Sequence, residues 1–193
     1  MARTRQDLTP AELAVDMSSV LTDAGVRHAI GGALALGFHA TPRGTLDVDM
    51  NVFVAADHPE AVLGVLATNG VDVDVEEATK TIAARGDLFL QHRGCRLDLF
   101  FDSIPLHASA AKRARYVELL GRRVPILSAE DLIVFKLLFN RHKDVADVEA
   151  IIEASGGQLD LRYVRHWLVE CVGEDDGRTS TWDTLRADAP EPD

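Results

Sequence analysis

Asp47 and Asp49 stand one residue apart in a run where Leu46, Val48, Met50, Val52 and Val54 alternate with Asp47, Asp49, Asn51 and Phe53. This period of two predicts a strand over residues 46–54, apolar on one face, with both carboxylates close together on the other. Anions that close repel one another and raise a pKa unless positive charge lies between them. A divalent cation solves this economically, and Mg2+ is the expected one, because it takes oxygen ligands and is completed by substrate phosphates and water. Asp98 adds to the set. It lies at the centre of Arg96-Leu97-Asp98-Leu99-Phe100, a second expected strand among whose apolar residues a lone carboxylate is costly to bury unless paired or liganded. If the two strands are neighbours, Asp47, Asp49 and Asp98 converge as metal ligands. Such a site activates an attacking oxygen and stabilises a pyrophosphate leaving group, with Asp98 acting as ligand or base for an acceptor hydroxyl.

Other residues are suited to phosphates. Gly31-Gly32 is a turn between a short apolar strand and a helix, so its backbone N–H groups can face a triphosphate. Arg43 and Thr45 precede the aspartates, and Thr45 shares their face. A phosphate on Thr45 would place negative charge where an incoming nucleotide must sit, so its phosphorylation is expected to silence the site. Lys136 interrupts the apolar run Leu132 to Phe139, and a buried ammonium needs a partner such as a nucleotide phosphate. Just beyond it, Arg141 and Lys143 can face phosphates, Asp144 can orient Lys136 or a base, and Asp147 reads equally well as a surface ion pair.

These residues need elements to hold them. Thr9-Pro10-Ala11-Glu12 starts a helix that should stop at Gly25. Residues 28–30 read as a strand, 33–38 and 59–68 as helices, and 87–91 and 96–101 as paired strands. A short helix near 107–114 and a hairpin of 116–119 with 124–127 follow. Ser128 then caps a helix carrying Lys136, and residues 144–155 and 161–172 supply two more. The expected organisation is a core over 1–127, a C-terminal helical part over 128–175 packed on it, and a flexible tail over 176–193.

The whole chain has 193 residues, 47% of them hydrophobic and 26% charged, the mixture of a globular protein with a real core. Its net charge of -11 argues against coating nucleic acid through bulk charge, so an anionic substrate needs a local site. One local excess of base does occur, from Lys112 through Lys143, and such a patch can contact an RNA backbone or serve as a solvated surface. Cys95 and Cys171 are too few for a disulfide framework and read as two unpaired thiols. His39 near the glycine turn reads as a turn histidine, and Trp167 and Trp182 as packing residues. No apolar stretch is long enough to span a membrane, and a cytoplasmic protein is expected.

In their order and spacing, Gly31, Gly32, Asp47, Asp49 and Asp98 resemble the nucleotidyltransferase fold shared with DNA polymerase beta. With Arg43, Thr45 and the segment from Lys136 to Val148, the chain is similar within that fold to the AbiEii-like minimal nucleotidyltransferase toxins of bacterial toxin–antitoxin systems. The resemblance covers residues 28–155 and implies an α/β (α+β) core with a mixed sheet followed by helices. It also implies transfer of a nucleoside monophosphate from an NTP to the 3′ end of tRNA, which blocks aminoacylation, and restraint by a cognate antitoxin. Gly32 departs from the serine that many superfamily members carry. Two other functions stay open: an antibiotic-modifying nucleotidyltransferase, which would show an acidic acceptor pocket, and a non-catalytic regulator on the same fold.

Overall fold

A computed structural model describes residues 7–188. The first six residues and 189–193, the last part of the expected tail, lie outside the described residues. Helix α1 (Pro10–Asp23) begins at the capping box formed by Thr9 and Glu12. Strand β1 (His28–Ile30) runs through Gly31 into α2 (Gly32–Leu36), and β2 (Asp47–Ala55) carries the aspartate pair. Helices α3 (Glu60–Thr68) and α4 (Val75–Arg85) precede β3 (Asp87–His92) and β4 (Cys95–Asp102). Helix α5 (Pro105–Arg113) and the hairpin of β5 (Arg115–Leu119) and β6 (Arg122–Ile126) complete the core. Four helices follow: α6 (Ala129–Phe139), α7 (His142–Ser155), α8 (Leu161–Val172) and α9 (Gly177–Leu185).

The strands form one mixed six-stranded sheet in the order β3-β4-β2-β1-β6-β5. β2 and β4 pair in parallel with Asp49 facing Asp98 and Asp47 facing Arg96, so tertiary pairing sets the third aspartate beside the first two. β1 runs antiparallel to β2 and parallel to β6, so the ends of β1 and β6 and the start of β2 meet at one end of the sheet. The period-two pattern overreached at Leu46, which is 87% exposed and precedes the strand.

A single apolar core joins α1, the sheet and the C-terminal helices, with Leu13, Met50, Leu97, Phe101, Ile133 and Leu168 sealed from water. α6 is buried nearly all round, as its continuous apolar run requires, and packs against α2, α7, α8 and α9. A buried polar knot also docks it. Arg113 of α5 pairs with Glu130, while Asp131 accepts hydrogen bonds from Ser128 and from Tyr163 of α8. Both cysteines are free thiols.

Two stretches differ from the sequence reading. Helix α4 was not expected, although Asp74 caps its start by accepting from Glu76 and Glu77, and Gly86 ends it in the left-handed conformation. The expected tail over 176–193 is corrected for its described part: Asp176 caps α9, which packs on α8 and α6 through Thr179 and the fully buried Trp182. A polar composition hid this because one tryptophan supplies much of the anchoring area.

Candidate active site

The cleft at that end of the sheet is formed by the start of β2, the centre of β4, α2, α6 and the turn into α7. It holds about 890 Å³ of space, part of it open to solvent. Asp47, Asp49, Asp98, Gly32, Arg43, Lys136, Arg141 and Asp144 all line it, so these eight residues from distant segments share one surface.

Asp49 is the centre of the acidic set. Burial first, then the charges of Asp47 and Asp98, push its carboxyl up to about 6. Its carboxylate fills the space a side chain at residue 32 would need: a Cβ on Gly32 would lie 1.7 Å from Asp49 Oδ2, and Gly32 has a φ of +55°. A serine is therefore sterically barred here, and the glycine has a local cause. Gly31 N–H donates to the Asp49 backbone carbonyl at 2.9 Å, tying the glycine turn to β2.

The other two carboxylates are already engaged. Arg96 Nε donates to Asp98 Oδ1 at 2.6 Å, and its guanidinium lies 4.4 Å from the centre of the Phe89 ring. Burial raises the Asp98 pKa, and the Arg96 contact offsets part of this. Thr45 donates its hydroxyl to Asp47 Oδ1, so it steadies that aspartate. Among the described residues no three acidic, histidine or cysteine side chains are grouped closely enough to hold a metal. Asp47 and Asp49 fit a hard cation by their oxygen donors and by the repulsion that raises Asp49. Asp98, expected as a third ligand, is committed to Arg96.

The cationic wall also differs from expectation. Lys136 is buried, but its partner is a carboxylate: Nζ donates to Asp147 Oδ2 at 2.6 Å. Arg43 grips the same carboxylate in bidentate fashion at 2.9 and 2.8 Å. Burial opposes ionisation of Asp147, but these hydrogen bonds outweigh it and hold the carboxyl below its ordinary value. Asp144, expected to orient Lys136, instead accepts from the backbone and guanidinium of Arg141. The reason is helical geometry: Asp144 sits in the first turn of α7, next to the capping Arg141, whereas Asp147 lies one turn on, facing α6. Asp147 is thus a buried junction and not a surface pair.

Sequence reasoning also missed Asn51 and the aromatic lining. Asn51 follows Asp49 on the same face of β2, is buried, lines the cleft, and its Oδ1 has no hydrogen-bond partner in the protein. Phe89, Phe100, Phe135 and Phe139 line the cleft too, with Phe100 and Phe139 edge to face at 5.8 Å between centroids. The period of two could have flagged Asn51. The phenylalanines come from three separate elements and gave no local signal.

No family model matches the chain, and no curated protein matches it significantly by sequence. Solved structures do. The structure of ANT(2'')-Ia in complex with adenylyl-2''-tobramycin superposes with a TM-score of 0.52 at 13% identity, covering 92% of this chain and 97% of that one. The solution structure of the antibiotic-resistance factor ANT(2'')-Ia gives 0.51 at 13%, covering 92% and 89%. An antigenic nucleotidyltransferase-like protein from Paracoccidioides brasiliensis gives 0.49 at 14%, covering 95% and 94%. The chain has the nucleotidyltransferase fold: a mixed six-stranded sheet with helices and a helical C-terminal part.

Proposed function

We propose that the protein is a Mg2+-dependent nucleotidyltransferase that moves a nucleoside monophosphate from an NTP to the end of an RNA, the 3′ end of tRNA being the acceptor the sequence resemblance implies. The observation that carries this reading is the convergence of the carboxylate pair Asp47 and Asp49, the Gly31-Gly32 turn, and the Lys136–Asp147–Arg43 junction on one cleft. Mg2+ held by Asp47 and Asp49 would neutralise phosphate charge and polarise the bond that breaks. Lys136, fixed by Asp147, and Arg43 at the rim present positive charge to the triphosphate. Asp98 lies across the strand pair from Asp49 and can take the proton of the acceptor hydroxyl once Arg96 yields it. Phe89 and Phe139 are exposed at the cleft, with Arg96 and Arg85 over the first ring and Arg141 over the second, and a base would stack there by displacing a guanidinium.

The cleft lacks the acidic acceptor pocket that a cationic antibiotic would call for, since its carboxylates are balanced by cations. Its lining carries five cations, Arg43, Arg96, Lys136, Arg141 and Lys143, against four aspartates, and Asp147 behind Lys136 and Arg43 brings the balance to zero. Asp98 and Asp144 are each matched to an arginine, and Lys143 has no ion-pair partner among the described residues. The antibiotic reading draws on the likeness in fold to ANT(2'')-Ia; a non-catalytic regulator would have no use for so concentrated a set of charges. In the toxin reading, capping tRNA stops aminoacylation and growth, and a cognate antitoxin is the implied partner.

The test is incubation with Mg2+, each labelled NTP in turn and total tRNA, beside Asp49→Ala. Label on RNA that depends on Asp49 is the expected result. Magnesium-dependent nucleotide binding without any labelled RNA overturns the RNA acceptor.

A further inference from the structure

Most arginines of this chain meet a carboxylate, but along the β5–β6 edge of the sheet the pattern fails. Among the described residues Arg27, Lys112, Arg115, Arg122 and Arg123 form no ion pair. Residues 105–126 hold five cations and one carboxylate, Glu118, in a chain of net charge -11. Of the five, Arg113 is paired to Glu130. Glu118 faces Arg123 across the ladder without reaching ion-pair distance. Cations left together without counter-ions repel one another, so the arrangement favours an anion that spans them.

The same edge offers an aromatic face and a groove. Tyr116 is 61% exposed, and the Arg123 guanidinium lies 4.6 Å from its ring centre. Beside it a groove with about 850 Å³ of space, partly open to solvent, is lined by Arg27, His28, Phe53, Lys112, Tyr116 and Pro125. The groove shares no lining residue with the candidate active site and lies toward the other end of β1 and β2, by Arg27, His28 and Phe53. In the hairpin, Tyr116 pairs with Pro125 and Glu118 with Arg123 on the groove face, whereas Arg115 and Arg122 pair with Ile126 and Leu119 on the other. Arg27 lies four residues before Gly31 along β1, about 13 Å at strand spacing. A polynucleotide whose end lies in the cleft spans that distance.

We propose that Arg27, Lys112, Tyr116 and Arg123, which share the groove face of the hairpin, form a second, RNA-binding site that holds the phosphate backbone of the acceptor while its end occupies the cleft. This deepens the RNA nucleotidyltransferase reading and rests on it. Guanidinium and ammonium groups neutralise successive phosphates, and the Tyr116 ring takes a base by stacking.

The test measures binding and needs no turnover. Fluorescein-labelled tRNA is titrated at several salt concentrations with the wild type, with Lys112→Glu/Arg123→Glu, with Tyr116→Ala, and with Arg162→Glu. Arg162 is an exposed cation on α8 that also forms no ion pair among the described residues, and so controls for bulk charge. The double variant should bind at least tenfold more weakly, with the slope of log K against log salt reduced by about 2. Tyr116→Ala should weaken binding about tenfold. Arg162→Glu should leave affinity and slope unchanged, and all four melting temperatures should agree because the altered side chains are exposed. Unchanged binding by the double variant overturns the proposal, as does an equal loss in Arg162→Glu or no binding of tRNA by the wild type. If the groove variants lose binding while no NTP labels the RNA, the groove stands and the transfer reading fails. If tRNA is labelled and the double variant binds it normally, the reverse holds.

Discussion

Asp147→Asn removes the charge that Lys136 and Arg43 share. Lys136 Nζ lies 2.6 Å from Asp147 Oδ2, and both side chains are only 6% exposed, so the variant leaves an ammonium buried beside a neutral amide. Removing one partner of a buried pair costs about 3–5 kcal/mol. Arg43 adds little to this, because its side chain is 36% exposed and can turn to water. For a chain of this size that loss lowers Tm by about 10 °C. Replacing both buried partners, as in Lys136→Met/Asp147→Leu, should recover most of the stability, since the cost arises from the orphaned charge, yet it should abolish nucleotidyl transfer. pH gives an independent check. The Asp147 carboxyl is held below its ordinary value, so its contribution is complete above about pH 4 and disappears as pH falls through the lowered folded value. The wild type should therefore lose its advantage over Asp147→Asn on acidification. Thermal unfolding by circular dichroism at pH 7 and at pH 3 reads both effects. A loss below 1 kcal/mol in the single variant, or a double variant no more stable than the single, would refute the reasoning.

Three other outcomes are expected. In metal-free buffer at pH 8, Asp49→Asn should stabilise the protein by up to about 3 kcal/mol, the worth of moving a carboxyl from 3.8 to about 6. The sign follows from linkage: the cost of the ionised Asp49 is present above pH 6 and fades as pH falls toward 3.8, so the variants should converge in acid, and parallel Tm-against-pH curves would count against it. Gly32→Ser should displace the Asp49 carboxylate and lose transfer activity, with stability lowered by about 2 kcal/mol from backbone strain and crowding; a variant with wild-type activity would remove the steric argument. Trp182→Ala should cost about 3–5 kcal/mol by opening a cavity between α9 and α8, measured by urea unfolding, whereas a loosely held tail would show no change.

The sequence by itself determined what is local. Period two placed Asp47, Asp49 and Asn51 on one face of a strand, and Asp98 stood out because its neighbours are apolar. Caps and glycines marked most helix ends, since those signals act within a turn of the residue that carries them. Lys136 could be singled out as a buried charge in need of a partner, but not the identity of that partner. Only tertiary structure decided that Asp147 and not Asp144 meets it, because the choice depends on which side of α7 faces α6. Likewise, the parallel pairing of β2 with β4 set Asp98 opposite Asp49, and Arg96, two residues before it, donates to its carboxylate. α9 escaped notice because its stability comes from Trp182 entering a core made by other segments. The stripe of unpaired cations was visible as composition, but that its charges lack partners is a statement about space, and the sequence does not contain the distances.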